Sequence, residues 1–206
     1  GYGGSCFPKD VRALGKSAAR AGYSAQLLDA VEDVNNRQKH RVFEKISAYY
    51  KGKLKGKTIA LWGLSFKPKT DDMREASSRV LMESLWAAGA SVRAYDPEAM
   101  EEVGRLYPDE EGLVLCQSAK ETLAGADVLA IMTEWQEFRS PDFQYIKQSL
   151  KDPVIFDGRN LYDPGLLQSF GLRYFAIGRG GMPGVEAKDD TNYRRRSTDS
   201  LKSKAS

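Results

Sequence analysis

Apolar positions along the chain fall into two successive patterns. From residue 25 to about residue 50, Leu27, Leu28, Val31, Val34, Val42, Phe43 and Ile46 recur at intervals of three or four for much of the stretch, with charged and amide residues between them. That is the spacing of an amphipathic helix. No Gly or Pro interrupts it, so the pattern predicts one helix of about seven turns at roughly 3.6 residues each. Such a helix is long for one that only covers a small core, and it suits a helix-to-helix dimer contact. Ahead of it, residues 1–8 read as a loop, and Pro8 followed by Lys9-Asp10-Val11-Arg12-Ala13-Leu14 reads as a helix start, because proline fits the first turn. After residue 57 the period changes. Residues 58–63, 91–95, 113–115, 127–132, 153–156 and 173–177 read as short apolar strands. Residues 76–88, a segment opening at Asp96-Pro97, and residues 118–123, 142–150 and 164–170 read as helices. This alternation calls for a mainly parallel sheet with helices on both faces, so residues 57–178 are expected to form a doubly wound α/β domain.

The glycine-punctuated run Lys51-Gly52-Lys53-Leu54-Lys55-Gly56-Lys57 marks a boundary between a helical region at 1–56 and the sheet domain. Residues 179–206, polar and without periodicity, are expected to be a disordered tail. Gly1 opens a loop with no initiator methionine and no preceding element, so the chain is expected to be a fragment. The 206 residues are 41% hydrophobic and 29% charged, with no run of about 18 apolar residues, which excludes a membrane span. A net charge of +3 does not imply a nucleic-acid partner. Two cysteines, Cys6 and Cys116, with no secretory signal before them point to a reducing cytoplasm. The single histidine, His40, excludes mechanisms and metal sites that need two imidazoles, and no metal is expected. His40 reads as a helix-surface or dimer-contact residue, Trp62, Trp86 and Trp135 as core or interface, and Cys116 as structural.

Chemistry concentrates in the first ten residues. Cys6 stands just before a helix N-terminus with Lys9 three residues on, and both the helix dipole and an ammonium favour thiolate over thiol. Gly3 and Gly4 leave room for a ligand or a neighbouring backbone to approach the sulfur, and Asp10, one turn on, can position a water or accept a proton. A buried structural cysteine in a tight turn stands beside this reading on local grounds. The strand-loop at Gly63-Leu64-Ser65-Phe66-Lys67-Pro68 lacks the G-x-G-x-x-G dinucleotide fingerprint, so the sheet domain is Rossmann-like without an NAD site of its own.

Three ordered blocks resemble the UDP-glucose/GDP-mannose dehydrogenase family. They are Gly-Tyr-Gly-Gly-Ser-Cys-Phe-Pro-Lys-Asp at 1–10, the stretch from Gly63 through Thr70-Asp71-Asp72-Met73-Arg74-Glu75, and Asp157-Gly158-Arg159-Asn160-Leu161-Tyr162-Asp163. The resemblance implies an NAD-dependent, two-step oxidation of a nucleotide sugar's C6 alcohol to the carboxylate, with Cys6 as nucleophile and Asp10 serving the hydrolytic water. It implies Tyr2 and Gly3 on the sugar side, Phe66, Lys67 and Arg159 on the nucleotide sugar, Phe7, Pro8 and Lys9 on the nicotinamide side, and Arg74 facing NAD. It also implies that the NAD-holding domain lies outside this chain, so the fragment alone is not expected to turn over substrate. Ser5 stands where the branch acting on N-acetylated sugars usually has His, and Phe7 with the later blocks favours UDP-glucose, with GDP-mannose as the alternative sugar nucleotide. On local grounds alone Lys67 reads as a solvated loop residue, the Asp71-Asp72 pair as an exposed turn, and Arg74 as an ion-pair partner of Asp71, Asp72 or Glu75. Arg159 follows a strand end, where open α/β sheets bind ligands. Two rival classes remain: a non-catalytic nucleotide-binding and oligomerisation module with Cys6 inert, and a cysteine acyl-transfer enzyme, which lacks a suitable His partner.

Overall fold

The computed structural model describes residues 1–179, so the expected tail lies, apart from Arg179, outside the described residues. Three helices lead into the sheet: α1 (Phe7–Arg20), α2 (Gln26–Lys39) and α3 (Arg41–Tyr49). Pro8 in the first turn of α1, with Asp10 beside it and Arg20 in the last turn, matches the preferences of helix ends. The single long helix expected over residues 25–50 is instead divided at His40, whose N–H reaches the carbonyl of Arg37 at 3.2 Å, a three-residue step. The division separates two tasks. α3 sends Val42 and Ile46 into the core beneath the sheet, whereas α2 turns the buried polar side chains Asn35 and Lys39 toward the N-terminal loop. Apolar spacing is the same on either side of His40, so the pattern carries no mark of the break.

The sheet comprises β1 (Thr58–Trp62), β2 (Ser91–Tyr95), β3 (Leu113–Leu115), β4 (Val128–Ile131), β5 (Val154–Asp157) and β6 (Arg173–Ala176), all parallel, in the order β3-β2-β1-β4-β5-β6. Between the strands run α4 (Ser77–Ala87), α5 (Met100–Leu106), α6 (Ala119–Thr122), α7 (Phe143–Ser149) and α8 (Pro164–Ser169). Successive strand residues supply opposite faces. Ile59, Leu61, Val92, Ala94, Val128 and Phe156 join α3, α4 and α5 in one core, while Ala60, Trp62, Leu129, Ile131 and Ile155 join the side of α6, α7 and α8 in the other. Both faces are covered, which is why β1, β4 and β5 read as near-continuous apolar runs. Ser118, Asp142 and Asp163 cap α6, α7 and α8 with side-chain acceptors. One expected helix start moves: α5 begins at Met100 rather than at Asp96-Pro97, because the Asp96 carboxylate turns back to accept the N–H groups of Glu98 and Ala99 at 2.9 and 3.0 Å.

The strand order reverses between β1 and β4, the position where ligands enter open α/β sheets. Here the backbone is pinched. Gly63 has φ +85°, and a Cβ on it would lie 2.5 Å from the Thr133 Cβ and 2.6 Å from its nitrogen. Gly63→Ala is therefore expected to cost about 2–4 kcal/mol of stability, read by denaturant unfolding; an unchanged midpoint would show that the two loops are free to separate.

Candidate active site

The carboxyl ends of β1, β4 and β5 carry the segments that build the site. At the end of β5 the buried Asp157 organises a turn: Oδ1 accepts the N–H groups of Arg159 (2.7 Å) and Asn160 (2.9 Å), and Oδ2 accepts those of Leu161 (2.8 Å) and the Tyr174 hydroxyl (2.7 Å). Asn160, at φ +59°, exchanges two 2.9 Å hydrogen bonds with the backbone of Ile177. The turn directs Arg159 back across the strand ends. Its Nε donates to the Met132 carbonyl (2.8 Å) and its Nη2 to the Phe66 carbonyl (2.9 Å), with the Glu134 carboxylate 3.1 Å from Nε. Its Nη1 makes no hydrogen bond among the described residues. Between α2–α3 and these strand ends, Lys39, Val42, Met132, Gly158 and Arg159 line a cavity of about 30 Å³, room for one water.

The N-terminal loop rests on the segment after β1. A Cβ on Gly4 (φ +88°) would meet the Phe66 ring at 2.8 Å, and one on Gly3 would meet the Glu75 carbonyl oxygen at 2.5 Å. The Gly4 N–H donates to the Arg74 carbonyl at 2.7 Å. The room that the two glycines leave is thus taken by the Phe66 ring and the Glu75 backbone. Tyr2 is gripped by α2: its N–H donates to Asn35 Oδ1 (2.6 Å), Asn35 Nδ2 donates to its carbonyl (3.2 Å), and its hydroxyl donates to Glu32 (2.5 Å). Burial and the Glu32 carboxylate push the Tyr2 phenol up to about 12. Arg12 of α1 bridges Glu32 (3.1 Å) and Glu75 (2.9 Å), and Lys39 donates to the other oxygen of Glu75 (2.7 Å). The Lys39 ammonium, then the Arg12 guanidinium, holds the Glu75 carboxyl below its usual range against the effect of burial.

Each residue singled out in the sequence can now be placed. Cys6 is exposed at the N-cap of α1, where its side chain's one hydrogen-bond partner among the described residues is the Ser5 hydroxyl at 3.6 Å. Asp10 is exposed one turn on, with its N–H on the Cys6 carbonyl (2.9 Å) and the Lys9 ammonium 3.7 Å away. Phe7 and Lys9 are exposed, Pro8 is buried, and Tyr2 meets Phe7 edge-on with centroids 4.7 Å apart. Lys67 is exposed, its ammonium 5.3 Å over the Phe66 ring. Arg74 takes Asp72 as its partner through Nε (2.9 Å) and Nη2 (3.0 Å), and that guanidinium holds the Asp72 carboxyl down. The structure thus brings the cysteine loop onto Phe66 and Arg74, and Phe66 onto Arg159. It records no direct contact from Cys6 to Lys67 or Arg159. His40 is exposed, Trp62 and Trp135 are buried, and the buried Cys116 has its thiol pushed up by burial.

Several structuring residues escaped the sequence reading. Asp96, fully buried, accepts from Leu64 N (2.6 Å), Ser65 N (3.1 Å), Ser65 Oγ (3.2 Å) and Trp135 Nε1 (3.0 Å) through one oxygen. It occupies with a side chain the amides that a dinucleotide phosphate would need. Asn35 and Lys39 stand on the same three-and-four spacing as Val31, Val42 and Ile46, so two polar residues on an apolar stripe were the available signal. Among the described residues no group of three or more His, Cys, Asp or Glu is placed to hold a metal, and no helix is long and apolar enough to cross a membrane.

Glu75 supplies a pH test. Its carboxyl is held below its ordinary value of 4.5, so the stability it contributes is complete above that value and is lost as pH falls through the lowered one. Melting temperature is expected to drop more steeply in wild type than in Glu75→Gln on acidification below about pH 4.5; parallel curves would show that Glu75 is not coupled to folding. Gly4→Ala is expected to destabilise by about 1–3 kcal/mol, with part of the loss recovered by Phe66→Ala; strict additivity in the double variant would contradict the contact.

Comparison with known proteins accords with this geometry. Residues 60–164 match the UDP-glucose/GDP-mannose dehydrogenase family, UDP binding domain, and residues 1–37 match that family's central domain. A UDP-glucose 6-dehydrogenase of Pseudomonas aeruginosa is 50% identical over 182 residues, covering 87% of this chain and 40% of the relative. Among solved structures, a UDP-glucose dehydrogenase of Pyrobaculum islandicum superposes with TM-score 0.68 at 30% identity, over 77% of this chain and 34% of that one. A UDP-D-ManNAc dehydrogenase of Pyrococcus horikoshii gives TM-score 0.70 at 27% identity, over 88% of this chain and 40% of that one. The chain therefore spans about 40% of the length of the curated relatives it matches. With a family model matched over half its length and the cysteine loop seated on that same unit, the chain belongs to the UDP-glucose/GDP-mannose dehydrogenase family.

Proposed function

We propose that this chain supplies the cysteine nucleophile and the nucleotide-sugar unit of an NAD-dependent UDP-glucose 6-dehydrogenase, which converts UDP-glucose to UDP-glucuronate. The observation that carries the reading is the seating of the Cys6 loop on Phe66 and the 74–75 turn, within the unit matched as a UDP binding domain. Two units divide the work: residues 1–56 carry the nucleophile and the helices, and residues 57–178 hold the nucleotide. In the substrate complex Tyr2 and Gly3 border the sugar, Phe66 and Lys67 face the nucleotide, and the open Nη1 edge of Arg159 meets the diphosphate, for which a guanidinium is well suited.

Chemically, Cys6 Sγ adds to the C6 aldehyde carbon, forming a C–S bond while the thiol proton passes to the carbonyl oxygen. After oxidation at that carbon, water held near Asp10 adds to the thioester carbonyl, the C–S bond breaks, and the sulfur recovers a proton as the carboxylate departs. Both hydride removals belong to NAD. The sheet's own crevice does not fit a dinucleotide, because Gly63 abuts Thr133 and Asp96 occupies the Leu64 and Ser65 amides. Phe7, Pro8, Lys9 and Arg74 are therefore assigned to face a cofactor held elsewhere in the enzyme. An exposed free thiol suits a reducing compartment, and we place the enzyme in the cytoplasm. The exposed apolar side chains Leu14, Tyr23, Leu27 and Val34 on the α1–α2 hairpin suit a homodimer contact.

The choice of UDP-glucose over GDP-mannose rests on Phe7, on the blocks after it and on the 50% identity to a UDP-glucose 6-dehydrogenase. Calorimetric titration of the chain is expected to give tighter binding of UDP-glucose than of GDP-mannose, and Arg159→Met is expected to weaken it about tenfold; tighter GDP-mannose binding would overturn the substrate. In the enzyme that carries this chain, Cys6→Ser is expected to abolish uronate formation while UDP-glucose still binds; undiminished uronate formation would end the mechanism.

A further inference from the structure

Glu75 plays no part in the chemistry just described, yet both halves of the site converge on it. Its side chain grips the two helices: one oxygen takes Arg12 of α1 at 2.9 Å, and the other takes Lys39 of α2 at 2.7 Å. Its main chain carries the loop: the Glu75 carbonyl lies against Gly3, and the adjacent Arg74 carbonyl accepts the Gly4 N–H. The residue holds a left-handed backbone, φ +56°, which a side chain adopts only where its surroundings impose it. Lys39, 5% exposed, donates to no other carboxylate among the described residues, and a buried ammonium stays with its counter-ion. Arg12 carries the network on to Glu32 and through it to Tyr2. One carboxylate thus ties the turn after β1 to the start of α1, where Cys6 sits, and to α2, which clasps Tyr2.

We infer that Glu75 is a positioning residue that sets the Cys6 sulfur against the nucleotide-sugar unit, an inference that rests on reading Cys6 as the nucleophile. The same turn holds the cysteine loop, since the Arg74 carbonyl accepts the Gly4 N–H two residues before Cys6. Cys6 stands at the N-cap of α1, and a helix N-terminus favours attack by a sulfur held against it. With Glu75 in place, the turn that carries Arg74, the helix that carries Cys6 and the Phe66 ring move as one body. With its side chain removed, α1 and α2 lose their anchor on the turn, and the sulfur loses its fixed place at the helix end.

The test is the rate at which iodoacetamide alkylates Cys6 at neutral pH, read by peptide mass spectrometry, with buried Cys116 as an internal control. Glu75→Gly removes the side chain and suits the left-handed backbone. The pair Glu75→Gln with Lys39→Met removes both charges at similar volume, so that a folded protein remains should the first variant fail to fold. Cys6 alkylation is expected to slow by about threefold or more in both, with Cys116 unchanged. A general loosening would speed Cys116 as well, and that outcome, like an unchanged or faster Cys6, overturns the inference. UDP-glucose added to wild type separates the two levels: it is expected to slow Cys6 alkylation, and no slowing would count against the substrate reading while the ligand-free rates still decide the role of Glu75.

Discussion

Gly3 and Gly4 approach the Phe66 ring and the Glu75 carbonyl so closely that no side chain fits at either position. This contact, closed by the hydrogen bond from Gly4 N to the Arg74 carbonyl, is what places an exposed thiol at a defined point above the sheet. The loop by itself has few means of holding its shape, being rich in glycine and at the surface. It borrows its geometry from a turn whose own geometry comes from the sheet. The clasp of Asn35 on Tyr2 and the ion pairs of Arg12 and Lys39 then set the helices against the same turn.

Behind that turn stands a pair of buried carboxylates. Asp96 accepts six hydrogen bonds, four on one oxygen from the loops after β1 and β4 and two on the other from Glu98 and Ala99. Asp157 does the equivalent for the turn bearing Arg159. A buried carboxylate is tolerable only when its lone pairs are met, and here meeting them is what orders the functional loops. The same arrangement spends the amides at the β1 end internally. A fold of Rossmann strand order is thereby left with the Leu64 and Ser65 amides taken and Gly63 packed against Thr133 at its switch point.

Much of the scaffold could be read without coordinates, because each strand is flanked by turn residues and each of α6, α7 and α8 begins at a capping Ser or Asp. Parallel packing needs apolar runs, and those runs are visible. The break at His40 was not legible, since it interrupts the hydrogen-bond pattern and not the apolar spacing, and the two helices it separates serve surfaces that are distant in sequence. Long-range partnership was equally hidden. Nothing local to Asp96 says that its acceptor capacity is filled from residues 64, 65 and 135, and nothing local to Arg74 chooses Asp72 over Asp71 or Glu75. At the candidate site, the cysteine loop and the 157–163 turn stood out as motifs, whereas the hub formed by Glu75 did not, because its meaning lies in Arg12 and Lys39.

Amide hydrogen exchange at Gly4 tests the seating of the loop most directly, since that N–H is bonded only if the loop lies on the 74–75 turn. The account predicts that Gly4 exchanges together with the Phe66 amide, which donates to Asp72 within the turn at 3.0 Å, both protected by one shared opening. Exchange at Gly4 as fast as in an exposed loop, with Phe66 still protected, would contradict it.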